Sequence, residues 1–211
     1  MGHKETIYEG ILKGNMKAVE GATNAALAEN VAAGELLNEA MIPAMAEVGR
    51  LFEANEYYVP EMLIAARAMK AGLALIRPAL VQEDVKPLGK VVLGTVKGDL
   101  HDIGKNLVGI MVEGAGFEVI DLGVDVTPDN FVNTAKDKGA DVIGLSALLT
   151  TTMPSMKTTV EALEEAGLKG KVRVVIGGAP VTQKYADEIG ADGYARDAAA
   201  AATLIKRLLG R

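Results

Sequence analysis

The chain has no cysteine and no tryptophan, and aromatic residues make up only 4% of its 211 residues. Without cysteine, disulfides, thiolate metal sites and cysteine nucleophiles are all excluded. The formal net charge is −6, and no block of Lys or Arg stands out. The phosphate-neutralising stripe of a nucleic-acid binder is therefore missing. No apolar stretch is long enough to span a bilayer, and the first residues carry no signal-peptide core. A cytoplasmic protein without membrane contact is the expectation. Histidine is scarce too. Of the two present, His3 is assigned no role and His101 lies within a distinctive loop.

Apolar residues make up 49% of the chain, enough to fill a real core. From Lys13 to Leu80 the sequence is rich in Ala, Met and Leu, whereas from Lys90 onward Gly and Val dominate short bursts. This shift predicts two domains. In the first, Leu37, Met41, Met45, Val48 and Phe52 recur at helical spacing, as do Met62, Ala66, Met69, Leu73, Ile76 and Leu80. Ala54 to Val59 breaks the period, and Pro60 suits the first turn of the helix that follows. Amphipathic segments at Ile7 to Leu12 and Ala18 to Ala28 complete a four-helix unit over residues 1–80. The Met positions read as core.

Residues 81–89 are polar with Pro87 and Gly89 and read as a linker. Over 90–211, apolar bursts at Val91–Val96, Glu118–Leu122, Asp141–Ala147 and Arg173–Ile176 alternate with helical stretches, and a short strand is expected at Gly193–Ala195. Continuous Val/Ile runs alternating with helices indicate a parallel sheet covered on both faces. The fold expected is α/β, a flavodoxin-like (Rossmann-type) doubly wound sheet of five strands whose ligand lies at the strands' carboxyl ends.

The first strand ends in Gly94-Thr95-Val96-Lys97-Gly98-Asp99-Leu100-His101-Asp102-Ile103-Gly104-Lys105-Asn106. A phosphate-binding P-loop needs four residues between its glycines and then Lys-Ser/Thr. Here five residues separate Gly98 from Gly104, and Asn106 follows Lys105. The G-x-G-x-x-G dinucleotide fingerprint is absent as well.

What remains is Asp99-x-His101-x-x-Gly104, which resembles the signature of cobalamin-binding domains of the methionine-synthase class. Ser146-x-Leu148 after the third strand and Gly177-Gly178 after the fourth resemble two further motifs of that family, in the same order. The first domain is similar to the family's helical cap through Val48-Gly49-Arg50-Leu51-Phe52-Glu53 and Val59-Pro60-Glu61-Met62-Leu63. The resemblance covers nearly the whole chain. It is nearest to the small corrinoid proteins of methanogen and acetogen methyltransferase systems.

That resemblance implies a bound corrinoid such as cobalamin, held base-off, with His101 as the lower axial ligand of cobalt. A neutral imidazole nitrogen is a good transition-metal ligand. Asp99 would take the other ring N–H, fixing the tautomer and raising the basicity of the ligating nitrogen. Gly98, Asp102, Ile103 and Gly104 would border the corrin. Ser146, Leu148, Gly177 and Gly178 would line a slot for the displaced nucleotide tail. Thr152 aligns with the Ser that extends the Asp–His pair in methionine synthase, and Thr150 and Thr151 are close enough to replace it. Phe52 and Val59 match the cap contacts over the upper face of cobalt, and also suit ordinary packing between helices.

The family's role is that of a methyl carrier, cobalt cycling between Co(I) and methyl-Co(III). A substrate-specific methyltransferase would supply the methyl group, and a methylcorrinoid-dependent methyltransferase would pass it to a thiol or to tetrahydrofolate. Both are expected as separate chains, together with a corrinoid reductive activase. The alternative is a cobalamin-dependent sensor or regulator. Such proteins combine similar domains with a DNA-binding domain and a Trp over the upper face, and this chain lacks both that Trp and a basic face.

Overall fold

A computed structural model describes residues 2–211, and its backbone divides into two compact units. The first covers residues up to Pro87 together with Gly114–Gly116, and the second covers Leu88–Glu113 and Phe117–Arg211.

The first unit is helical: α1 (His3–Leu12), α2 (Met16–Ala28), α3 (Ala33–Leu36), α4 (Ile42–Glu53) and α5 (Val59–Gln82). A π-helical turn at Leu37–Met41 joins α3 to α4, so the two form one interrupted helix and the unit holds four helical runs. Pro43 accounts for the interruption. It has no N–H to give to the carbonyl four residues back, and its ring would clash there, which a locally widened helix relieves. The Asn15 side chain caps α2 through the Ala18 N–H at 3.2 Å. Glu61 takes the Tyr58 N–H at 3.0 Å at the start of α5, with Pro60 in the first turn. The Met residues are core: Met41, Met45, Met62 and Met69 are all buried beside Ile7, Ile11, Val19 and Leu36. The α5 helix continues through Pro78 to Gln82, so Val81 and Gln82, expected at the start of the linker, are helical.

The second unit alternates strands and helices: β1 (Lys90–Thr95), α6 (Ile103–Gly114), β2 (Glu118–Asp121), α7 (Pro128–Lys138), β3 (Val142–Ser146), α8 (Pro154–Glu165), β4 (Arg173–Gly177), α9 (Gln183–Ile189), β5 (Gly193–Ala195) and α10 (Ala198–Leu208). The sheet is parallel throughout, in the order β2-β1-β3-β4-β5. This is the doubly wound order expected. Val92, Ile143, Leu145 and Ile176 from the strands pack with Phe131, Met156, Val160 and Leu163 from α7 and α8 in one buried cluster. Burial on both faces is why these strands read as continuous apolar runs.

The chain reverses direction across the sheet between β1 and β3, and ligands of open α/β sheets bind at the carboxyl end of such a switch point. Thr95, Ser146 and Gly177 are paired in register at that end, so they lie on one rung and share a face. The loops that leave this rung carry the site.

Candidate functional site

The loop after β1 begins with a tight turn. The Asp99 N–H donates to the Val96 carbonyl at 3.1 Å, with Gly98 at φ +86°. Only a residue without Cβ adopts that left-handed conformation freely at the third position of a turn, which explains Gly98. The turn drops the Asp99 side chain into the protein, where it is fully buried.

Its two carboxylate oxygens have separate duties. Oδ1 meets the His101 ring Nδ1 at 2.7 Å and accepts the His101 backbone N–H at 3.1 Å. Oδ2 accepts the Thr152 hydroxyl at 2.6 Å and the backbone N–H groups of Leu148 at 2.8 Å and Leu149 at 3.3 Å. Burial alone would raise the Asp99 pKa. The hydrogen bonds from Thr152, from the His101 ring and backbone and from Leu148 outweigh it, and hold the carboxyl well below the usual carboxylate range. Asp99 is thus an ionised acceptor, and Nδ1 of His101 carries the proton it accepts.

That leaves Nε2 of His101 as the ring nitrogen with a lone pair. Among the described residues no hydrogen bond to it is recorded, and the side chain is half exposed. The loops at this end of the sheet expose Leu100, Ile103, Val124, Leu148 and Leu149 alongside the polar Lys97, Asp102, Asp125 and Thr150. The Thr95 hydroxyl, itself buried, donates to the His101 carbonyl at 2.9 Å and fixes the backbone from below.

Among the expected residues, Asp99, His101, Leu148 and Thr152 are tied together by these bonds. Thr150 and its neighbour Thr151 are exposed, and Thr152 is the threonine that reaches Asp99. Asp102 starts α6: its carbonyl accepts the Asn106 N–H at 2.8 Å, and its Oδ2 accepts the Asn106 side-chain amide at 3.1 Å. Ser146 contributes its carbonyl to the Val96 N–H at 3.0 Å. Gly178 has φ +131°, and a Cβ there would lie 1.9 Å from the Ala147 carbonyl oxygen. Its lack of a side chain therefore lets β4 pass close to the end of β3, a need of the fold in its own right. Gly104 is different, because a Cβ there would meet nothing within 4 Å. A glycine near the start of a helix costs stability without a protein contact to explain it. Phe52, half-buried in the last turn of α4, and Val59, 39% exposed at the start of α5, belong to the helical unit.

Three contributors were not visible in the sequence: Thr95, Asp125 and Lys105. Thr95 is a polar residue closing an apolar strand. Asp125 accepts the Gly98 N–H at 2.7 Å through Oδ1. Lys105 is a buried cation whose Nζ reaches Asp121 Oδ2 at 2.5 Å and Asn106 Oδ1 at 2.7 Å.

Comparison with known proteins decides what this arrangement serves. The B12 binding domain family matches residues 89–203, and a second B12 binding domain family matches residues 4–77. A corrinoid protein of Desulfitobacterium hafniense (strain Y51) is 39% identical over 98% of this chain and 97% of its own length. The dimethylamine corrinoid protein 1 of Methanosarcina acetivorans is 47% identical over 83% of each chain. The crystal structure of the methanol:cobalamin methyltransferase complex MtaBC from Methanosarcina barkeri contains a chain that superposes with a TM-score of 0.86, at 27% identity, over 99% of this chain and 80% of that one. The chain belongs to the B12-binding corrinoid proteins. Its cofactor is a corrinoid.

The residues of this corrinoid protein fit such a group. No cluster of three or more His, Cys, Asp or Glu among the described residues could hold a bare ion. A single imidazole suits a metal whose in-plane donors come from a macrocycle. The large apolar side chains exposed on these loops and the open space at Gly104 suit a broad, flat ring there. Among the described residues no helix is long and apolar enough to cross a membrane.

Proposed function

We propose that this corrinoid protein is a methyl carrier that works between two methyltransferases, with His101 as the residue that would hold the cobalt through Nε2. The observation that carries the reading is the pairing of the His101 ring Nδ1 with a buried, ionised Asp99 at 2.7 Å, which leaves Nε2 as the half-exposed ring nitrogen with a lone pair. The bound corrinoid supplies a redox-active, nucleophilic cobalt centre for methyl transfer.

The chain's own residues hold and orient. Asp99 fixes the His101 tautomer and strengthens the donor power of Nε2. Thr152, Leu148 and Leu149 hold Asp99 ionised from the far side. Gly104 leaves room for the ring. Ser146, Leu148, Gly177 and Gly178 border the carboxyl end of the sheet, where the cofactor's nucleotide tail would enter. Phe52 and Val59 are the apolar residues of the helical unit that would shield the reactive face from water.

Holding and shielding are what a carrier needs. Transferase chemistry needs more: groups that bind and activate a methyl donor, stronger in the transition state than in the ground state. The described residues provide no cluster for a catalytic metal ion. The proposed partners are therefore a substrate-specific methyltransferase, a methylcorrinoid-dependent methyltransferase and a reductive activase, in a cytoplasmic setting. The Methanosarcina relatives named for dimethylamine and methanol make simple methylated amines and alcohols the first donors to try.

The test is anaerobic. The purified chain, loaded with cob(I)alamin, is mixed with methanol, methylamines, betaines or methoxyarenes, with and without a cognate transferase, and followed by its visible spectrum. Methylation only in the presence of the transferase is the expected result. Rapid methylation by the chain alone would overturn the carrier reading. Separately, His101→Ala should abolish imidazole-nitrogen splitting in the cob(II)alamin EPR signal, and its survival would refute the ligand assignment.

A further inference from the structure

Asp125 lies in the loop after β2, on a different segment from the His101 loop, yet the two are zipped together. Thr95 N–H donates to the Gly123 carbonyl and Val126 N–H to the Thr95 carbonyl, both at 3.0 Å. Beyond these bonds Asp125 makes a reciprocal pair with the turn itself. Its Oδ1 accepts the Gly98 N–H at 2.7 Å, and its own N–H donates to the Asp99 carbonyl at 3.0 Å. The two-residue segment Gly98–Asp99 is thereby held at both ends by one residue, through the N–H that enters it and the carbonyl that leaves it.

Asp125 does this from a left-handed backbone, φ +53°. An Asp is tolerated there better than most residues, but glycine is the residue such a position favours. Strain of this kind persists where the surrounding structure demands it, and it concentrates at functional sites. The side chain is exposed, so burial does not explain its presence.

From this geometry we infer that Asp125 is a positioning residue for His101, acting through the backbone of Gly98 and Asp99. The inference rests on the reading of His101 as the axial ligand. Asp99 is gripped on two sides. The β3–α8 loop fixes its carboxylate through Thr152, Leu148 and Leu149, and Asp125 fixes its carbonyl. Because one oxygen, Oδ1, receives both the ring and the backbone N–H of His101, any shift of the Asp99 main chain is passed to the imidazole. Without Asp125 the carboxylate would remain anchored while the peptide that carries it swings, and Nε2 would lose its fixed aim.

Three substitutions separate this role from a merely structural one. Asp125→Gly accepts the left-handed backbone without strain and removes the acceptor, so the fold should be kept or slightly stabilised. Asp125→Asn keeps both the acceptor and the tolerance of that backbone while removing the charge. Asp125→Ser shortens the side chain out of reach of Gly98 and serves as a second loss variant should the glycine variant fold poorly. Each full-length variant is loaded with cob(II)alamin, and the fraction of its EPR signal split by an imidazole nitrogen is measured at one pH and corrinoid concentration.

Loss of a partner that orients a metal-binding His typically weakens ligation about 10–100-fold. Asp125→Gly and Asp125→Ser should therefore lower the ratio of ligated to unligated signal at least about 10-fold. Asp125→Asn should stay close to the wild type. Full nitrogen splitting in a folded Asp125→Gly protein would overturn the inference and leave the ligand assignment intact. Equal damage from Asp125→Asn would overturn it as well, since charge rather than hydrogen-bond geometry would then be responsible. Absence of nitrogen splitting in the wild type would remove the ligand reading and this inference together.

Discussion

The Thr152 hydroxyl reaches Asp99 Oδ2 at 2.6 Å, on the opposite oxygen from the one that serves His101. The hydroxyl also lies 2.9 Å from the Leu149 carbonyl, but it has one proton, and the charged acceptor at the shorter distance takes it. Asp99 is therefore gripped from behind by a neutral donor and in front by the imidazole. Thr152 itself is buried, and its hydroxyl makes the bond that a serine hydroxyl could make.

Thr152→Val keeps the shape and deletes the proton donor to a buried carboxylate. A loss of about 1–3 kcal/mol in the stability of the α/β unit is expected, with the Asp99 pKa rising toward ordinary values. Thr152→Ser should restore both. Urea unfolding and carbon NMR titration of the Asp99 carboxyl measure the two effects.

Asp99 also sets a pH dependence. Its folded pKa lies below its unfolded one, which is about 3.9. The stabilisation it supplies is complete above the ordinary carboxylate range and disappears as pH falls through the folded value. The stability gap between wild type and Asp99→Asn should thus shrink steadily below about pH 4. A gap that goes on growing below about pH 4 would contradict the hydrogen-bond geometry around Oδ1 and Oδ2.

The Lys105–Asp121 pair should respond asymmetrically. The Lys105 side chain is 3% exposed and Asp121 46% exposed. Lys105→Met removes the buried cation and lets the carboxylate hydrate, so stability should change by less than about 1 kcal/mol. Asp121→Ala leaves the buried ammonium with the neutral Asn106 acceptor and no counter-charge, and also removes the acceptor for the Gly123 N–H, at a cost of about 3 kcal/mol. Thermal unfolding of the two variants side by side tests the order.

Phe52 distinguishes shielding from packing. Fully buried phenylalanines cost about 3–5 kcal/mol on truncation to Ala. Phe52 is only half-buried, so Phe52→Ala should cost less than that. If Phe52 shields the reactive face, photolysis of the protein loaded with methylcobalamin should accelerate while corrinoid affinity holds. Unchanged photolysis with a large drop in melting temperature would assign Phe52 to the core.

Much of the fold was legible because its signals are local. Helical spacing of Met41, Met45, Met62 and Met69 marked the first unit, and Val/Ile runs marked strands buried on both faces. The end of α5 was harder to read. Val81 and Gln82 look like linker residues, yet the helix continues past Pro78 to Gln82. Further along, Glu83 accepts the N–H groups of Ala33 and Gly34 at 2.8 and 3.0 Å, a tie across the first unit that local composition does not reveal.

The sequence by itself determined the pieces of the site. Gly98 is needed for a left-handed turn, Asp99 and His101 stand two apart so that one carboxylate oxygen reaches both ring and backbone, and Ser146 and Gly177 end their strands. These are constraints between near neighbours, and each leaves a mark in residue type. Only the tertiary structure decided which threonine meets Asp99, why Gly178 has no side chain, and that Asp125, 27 residues beyond Gly98, clamps the same turn. The parallel register brings the ends of β1, β2 and β3 to one edge, and a register is set by the packing of whole strands rather than by any residue that the pairing later joins.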